Sequence, residues 1–297
     1  MPNRPAIHRL SRARQLRSLL VHLRLHFQIL LSPIFLWGFY LAGGTPDVRF
    51  WTAFLSLHVF LYGGATAFNS FYDRDEGPVG GLATPPPVTP ELLPFSLIMQ
   101  ATGVLLAAAV GVAFLALYLA TFMLFAAYSH PSTRLKGRPV AGLVAVALGQ
   151  GLIAGLCGVA AAGSLAALST LDWLGLLGAA GMTTGFYPIT QLYQVREDLA
   201  RGDVTFAAWR GARGTFRFAL GLMGLSALLL SAVFLVMFGP GLAALLATFC
   251  AGLLGTLWRW SHRYDPEAIL ANYRQVMRLH RVMSLGFLAM LLVLIFA

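Results

Sequence analysis

The chain has 297 residues, of which 58% are hydrophobic and only 11% charged, with a mean hydropathy of +0.74. A soluble domain carries about 25% charged residues. So few charges cannot clothe a water-soluble globule, which excludes a soluble enzyme, a disordered chain and a disulfide-stapled secreted domain. The two cysteines, Cys157 and Cys250, sit in apolar runs and read as small buried hydrophobes.

A membrane span needs about 20 predominantly apolar residues. Nine runs meet this, at 26–43, 51–70, 93–112, 113–129, 140–163, 168–192, 214–236, 240–258 and 281–297. The expected fold class is therefore all-α, a polytopic integral membrane protein of about nine transmembrane helices in one domain over 1–297. A basic segment over 1–25 precedes them. The stretch from Leu92 to Tyr128 is too long for one helix and is divided near residue 112. The first run is long, interrupted by Pro33 and not followed by a cleavage site, so it reads as a retained helix and not a signal peptide.

Charge placement tests this count. With nine spans, 20 of the 21 Lys and Arg fall on one side, and only Arg49 on the other; the acids divide nine to two, the two being Asp47 and Asp172. The sides carry +11 and −1. Cytoplasmic loops are enriched in Lys and Arg, so the amino terminus is expected in the cytoplasm and the carboxyl terminus opposite. The same asymmetry accounts for the net charge of +10 without nucleic acid.

Three polar segments lie on the basic side. The segment after the second span contains Asn69, Asp73, Asp75 and Glu76, and the one after the sixth contains Gln194, Glu197, Asp198, Arg201 and Asp203. Residues three or four apart share a helix face. Asn69, Asp73 and Glu76 are therefore expected on one face, and Gln194, Glu197 and Asp198 on another. Six of the eleven acids fall in these two segments, and carboxylates clustered beside a membrane are costly unless a cation binds them. Oxygen-rich groups of this kind suit Mg2+, which binds through a few carboxylates plus substrate phosphates. The third segment, after the fourth span, holds Tyr128, Ser129, His130, Arg134, Arg138 and the only lysine, Lys136. Its basic residues can hold a phosphate by charge-assisted hydrogen bonds.

At these residues the chain resembles the UbiA superfamily of intramembrane prenyltransferases, whose nine helices carry an Asn-x-x-x-Asp-x-x-x-Asp motif after helix two and an Asp-x-x-x-Asp motif after helix six. Asn69 and Asp73 match the first motif, and Gly77 stands at its last position. Asp198, Gly202 and Thr205 match the second, and Gln194 stands at its first position. Tyr128, Ser129, Arg134 and Lys136 match the family's loop after helix four. Gly77 and Gln194 replace carboxylates that help bind metal in the family; Glu76, Glu197, Asp75 and Asp203 are the nearby acids that can replace the lost charge. The basic residue that often precedes a proline downstream of the first motif is absent from Leu82–Val88.

The resemblance implies a UbiA-like bundle around a central cavity and Mg2+-dependent transfer of an isoprenyl group from its diphosphate to a lipophilic acceptor, aromatic acceptors included, with diphosphate released. The metal-binding residues implied are Asn69, Asp73, Glu76, Gln194, Glu197 and Asp198. Asn69, Arg74, Arg134, Lys136, Ser129 and Arg201 are expected on the diphosphate, and Asp73, Asp198, Lys136 and Tyr128 in the chemistry. Tyr128, Asp203 and His130 are the proton-acceptor candidates. The expected partners are the isoprenyl diphosphate donor, the acceptor and the lipid bilayer. A terpene cyclase on the same scaffold and a non-catalytic or transport protein are the alternatives. Tyr273, His262 and His280 are expected in an interfacial segment with no catalytic role.

Overall fold

The computed structural model describes residues 12–296, so the first eleven residues of the expected basic segment, and Ala297 at the end of the last expected span, lie outside the described residues. The described chain is helical, in the order α1 (Arg12–His22), α2 (Leu25–Leu41), α3 (Val48–Phe54), α4 (Gly63–Asp73), α5 (Leu92–Val110), α6 (Val112–Ser129), α7 (Pro139–Val146), α8 (Ala154–Ala162), α9 (Thr170–Phe186), α10 (Val195–Ala200), α11 (Phe206–Phe238), α12 (Pro240–Ser261) and α13 (Ile269–Phe296). A π-helical segment, Leu55–Tyr62, joins α3 to α4, and another, Ala147–Ile153, joins α7 to α8.

Among the described residues, seven helical stretches are long and apolar enough to cross a membrane by length and composition. The two other expected spans, the second and sixth, coincide with α3–α4 and α9. They are helical, but neither is among the seven: α9 has 17 residues, and α3–α4 carries polar groups such as His58 and Asn69 along its length. The long apolar stretch divides where expected. Gly111, at φ 143°, separates α5 from α6 in a conformation that favours glycine.

α11 is kinked at Gly211 (φ 65°, ψ 171°): a short helical segment from Phe206, capped by the Thr205 side chain accepting from the Ala208 N–H, precedes the long span, which begins beyond Gly211, close to the expected residue 214. One boundary differs from expectation. α13 starts at Ile269, so the expected interfacial segment is the first part of the last helix. Within it Tyr273 and His280 are buried, and only His262, before the helix, is exposed.

Small residues set the helix spacing, as membrane bundles require. α2 packs on α8, and α9 on α11. A Cβ on Gly38 would overlap the Gly155 carbonyl, and one on Gly158 the Phe35 carbonyl. The Gly181 and Gly185 pair likewise meets Ser226 and Met223 of α11. Gly38→Ala and Gly158→Ala are each expected to destabilise the fold by about 1–3 kcal/mol through overpacking. Gly255→Ala, inside α12 and with nothing within 4 Å of its Cβ, is expected to be neutral or to stabilise by up to about 1 kcal/mol. Thermal unfolding in detergent measures all three.

Candidate active site

The three polar segments converge at one end of the bundle. α4 delivers Asn69 and Asp73 and ends there, because Arg74 adopts a left-handed conformation (φ 50°, ψ 44°) that turns the chain away. α6 ends on Tyr128 and Ser129. The loop beyond it turns left-handed at Arg134 (φ 39°) and presents Lys136 from a short 3₁₀ turn, Leu135–Gly137. α10 presents Glu197 and Asp198 in its first turn; Gly202 (φ 81°) then reverses the chain, and Asp203 returns toward the cluster. The Val204 N–H bonds to the Gly137 carbonyl at 3.1 Å, joining the second and third segments. Gly202 and Thr205 of the second motif are thus a turn residue and a helix cap.

The carboxylates are held by three cations. Lys136 Nζ contacts Asp73 Oδ2 and lies 3.8 Å from Asp203 Oδ2. Arg134 makes a bidentate pair with Asp203, at 2.6 and 2.7 Å, and approaches Asp73 Oδ1 at 3.6 Å. Arg201 Nη1 reaches Asp75 at 2.6 Å and Glu197 at 3.2 Å, and its Nη2 reaches Asp198 at 2.7 Å. The side chains of Asp73 and Asp75 are each only 3% exposed, yet Asp73 Oδ1 and Asp75 Oδ2 receive no hydrogen bond. Burial pushes the Asp198 carboxyl up to about 6, against the opposing pull of Arg201. For Arg201 the surrounding Asp75, Asp73 and Asp198 outweigh burial and raise its pKa.

Not every expected residue joins this cluster. Arg74 is exposed and lies over the Phe71 ring, and the Glu76 side chain is exposed; only the Glu76 N–H reaches the site, donating to Glu197 Oε1 at 3.0 Å. The left-handed turn at Arg74 breaks the helical register that put Glu76 beside Asp73, and Asp75 takes the inner position. His130 is exposed and packs edge-on against Tyr72, outside the cluster, and both Asp203 oxygens accept from Arg134. A Cβ on Gly77 would meet Glu197 Oε2 at 2.8 Å. Any side chain at position 77 would thus start against the Glu197 carboxylate, which would have to move.

Below the cluster lies a cavity of about 270 Å³. Its polar mouth carries Asn69, whose amide donates to Ser129 Oγ at 3.1 Å, together with Gln194 and the Tyr128–Tyr187 hydroxyl pair at 2.7 Å. Its depth is lined by Ile34, Trp37, Phe125, Met182 and Phe287. Two cavity residues went unrecognised in the sequence. Arg24, buried between α1 and α2 in a left-handed conformation, donates to Ser70 Oγ at 2.7 Å and keeps an unpartnered Nε. His280, expected at the interface, stacks edge-on against Phe27 at the cavity wall. In sequence, Arg24 was one topogenic charge among many; its single signal was its place immediately before an apolar run.

A helical membrane protein with an apolar cavity under a buried charge cluster is the class that this fold and site define. The chain belongs to the UbiA prenyltransferase family, whose model matches residues 31–294, and with these helices that makes it a multi-pass integral membrane protein. Its fold is similar to that of a UbiA homolog from Archaeoglobus fulgidus bound to Cd2+ (TM-score 0.67, 20% identity, 94% of this chain and 100% of that one). The same homolog bound to GPP and Mg2+ gives a TM-score of 0.66 at 20% identity, over 92% of this chain and 99% of that one. A digeranylgeranylglyceryl phosphate synthase structure matches at 0.63 and 15% identity, over 93% and 98%. No curated protein matches the sequence.

Lys136 and Asp73 are both buried, with side chains 9% and 3% exposed. Removing one partner of such a pair costs roughly 3–5 kcal/mol, so Lys136→Met is expected to lower the thermal unfolding midpoint sharply. Arg196→Ala breaks a pair whose side chains are both 71% exposed; its effect is expected to stay below about 1 kcal/mol in the same measurement.

Proposed function

We propose that this protein transfers an isoprenyl group from an isoprenyl diphosphate to a lipophilic acceptor, with Mg2+ as cofactor. The observation that carries the reading is the juxtaposition of the charge cluster with the apolar cavity, an anionic head group's site over an alkyl chain's. Family membership and the Mg2+ and GPP in the Archaeoglobus fulgidus homolog support it.

The residues present fit a magnesium ion that is completed by substrate oxygens. Among the described residues, no three His, Cys, Asp or Glu come together to hold an ion unaided. The buried Asp73 Oδ1 and Asp75 Oδ2 nevertheless accept no hydrogen bond, and Asn69 lies one helical turn before Asp73 on α4. Mg2+ commonly binds through one or two carboxylates plus phosphates. When bound, it neutralises the charge that develops on the leaving diphosphate.

The chain's own groups do the rest. Lys136 and Arg134 donate to diphosphate oxygens as the carbon–oxygen bond breaks and its electron pair leaves with the diphosphate. The apolar cavity keeps water from the allylic cation, and the Tyr128 and Tyr187 rings at its mouth offer π faces to that positive charge. The acceptor then forms the new bond to the allylic carbon and gives up a proton, which the released diphosphate takes. By charge placement, the amino terminus and the motif loops face the cytoplasm and the carboxyl terminus lies opposite.

The test is diphosphate release from geranyl, farnesyl and geranylgeranyl diphosphates by the protein in nanodiscs, with a pooled lipid extract as acceptor. Release is expected to require Mg2+ and to fall at least about 100-fold in Asp73→Ala and Asp198→Ala, a loss in line with removal of a preorganised charge. Metal-independent release, or mutants equal to wild type, contradicts the assignment.

A further inference from the structure

The second acidic segment is already occupied by a cation of its own. The Arg201 guanidinium sits among four carboxylates from two segments, Asp75, Glu197, Asp198 and, at 3.9 Å, Asp203, and its Nη1 also reaches the Asp73 carbonyl at 3.4 Å. Its side chain is 18% exposed, and its buried Nε makes no hydrogen bond, lying 3.9 Å from Asp203 Oδ2. An arginine cannot give up its proton in a protein, so these carboxylates carry a permanent positive partner. The first-segment acids also have cationic partners, Lys136 and Arg134 for Asp73 and Arg201 for Asp75, but each keeps one buried oxygen, Asp73 Oδ1 and Asp75 Oδ2, that accepts no hydrogen bond.

Charge counting points the same way. The cluster brings five carboxylates (Asp73, Asp75, Glu197, Asp198 and Asp203) against three cations (Arg134, Lys136 and Arg201). These paired groups leave an excess of negative charge, which favours a bound cation. The two positions where the motifs lack a carboxylate fit this count. Gly77 lies against Glu197, which in turn pairs with Arg201, and Gln194 brings no charge.

We infer that Arg201 takes the place of a metal ion at the second acidic segment, so that each chain binds a single divalent cation, at Asp73 and Asp75, when diphosphate is present. The Nε of Arg201, which makes no hydrogen bond, is then a donor for a diphosphate oxygen, a role a metal would otherwise fill. This inference rests on the diphosphate-binding reading above.

The test counts Mn2+ bound to the full chain in nanodiscs with inorganic diphosphate, by equilibrium binding and by electron paramagnetic resonance. The wild type is expected to bind one Mn2+ with no dipolar signal from a second ion nearby. Asp73→Asn is expected to lose that ion, and Asp198→Asn to keep it. Arg201→Ala is expected to bind two, with a Mn–Mn coupling. Two coupled ions on the wild type, or one ion that Asp198→Asn abolishes, overturns the inference and leaves the proposed function standing. No bound ion at all defeats both. The wild-type count needs no variant, so the inference stays open to refutation if Arg201→Ala fails to fold.

Discussion

The structure depends on keeping carboxylates buried at the end of a membrane bundle. Asp73 is the demanding case: it is almost fully buried, and it terminates α4, where the helix dipole already places negative charge. Lys136 answers it from a different loop, and Arg134 answers Asp203 and approaches Asp73. Three segments far apart in sequence are thereby locked to one another. That lock sets the mouth of the cavity and places the tyrosine pair and Asn69 around it.

The three described non-glycine residues with positive φ, Arg24, Arg74 and Arg134, are all arginines at helix ends. A left-handed conformation costs a non-glycine residue on the order of 1–3 kcal/mol, and such strain clusters at functional sites. At Arg24 and Arg134 the turn coincides with a guanidinium that reaches the cavity mouth or the acid cluster. At Arg74 it ends the helix and opens the way for Asp75. The backbone here follows the needs of the charges.

Much of this architecture was legible in the residues, because a bilayer imposes long apolar runs and a one-sided distribution of arginine. The break at Gly111 and the gathering of three polar segments both follow from those constraints. What escaped the sequence was local. Face arguments hold only while the helix continues, and α4 stops at Asp73, so Glu76 and Arg74 turned outward while Asp75 turned in. Gln194 caps α10 and does not sit within a helical repeat. His280 looked interfacial because the arginines Arg274, Arg278 and Arg281 surround it, but α13 carries it to the cavity wall. Pairings such as Arg134 with Asp203 span 69 residues and have no local signature.

The central claim is that this charge cluster is built to receive a diphosphate together with a divalent cation. Calorimetric titration of inorganic diphosphate into the protein in nanodiscs, with and without Mg2+, addresses it most directly. The account predicts saturable binding that depends on Mg2+ and is lost in Lys136→Gln. Equal binding without the metal, or no binding to a folded protein in its presence, would contradict it.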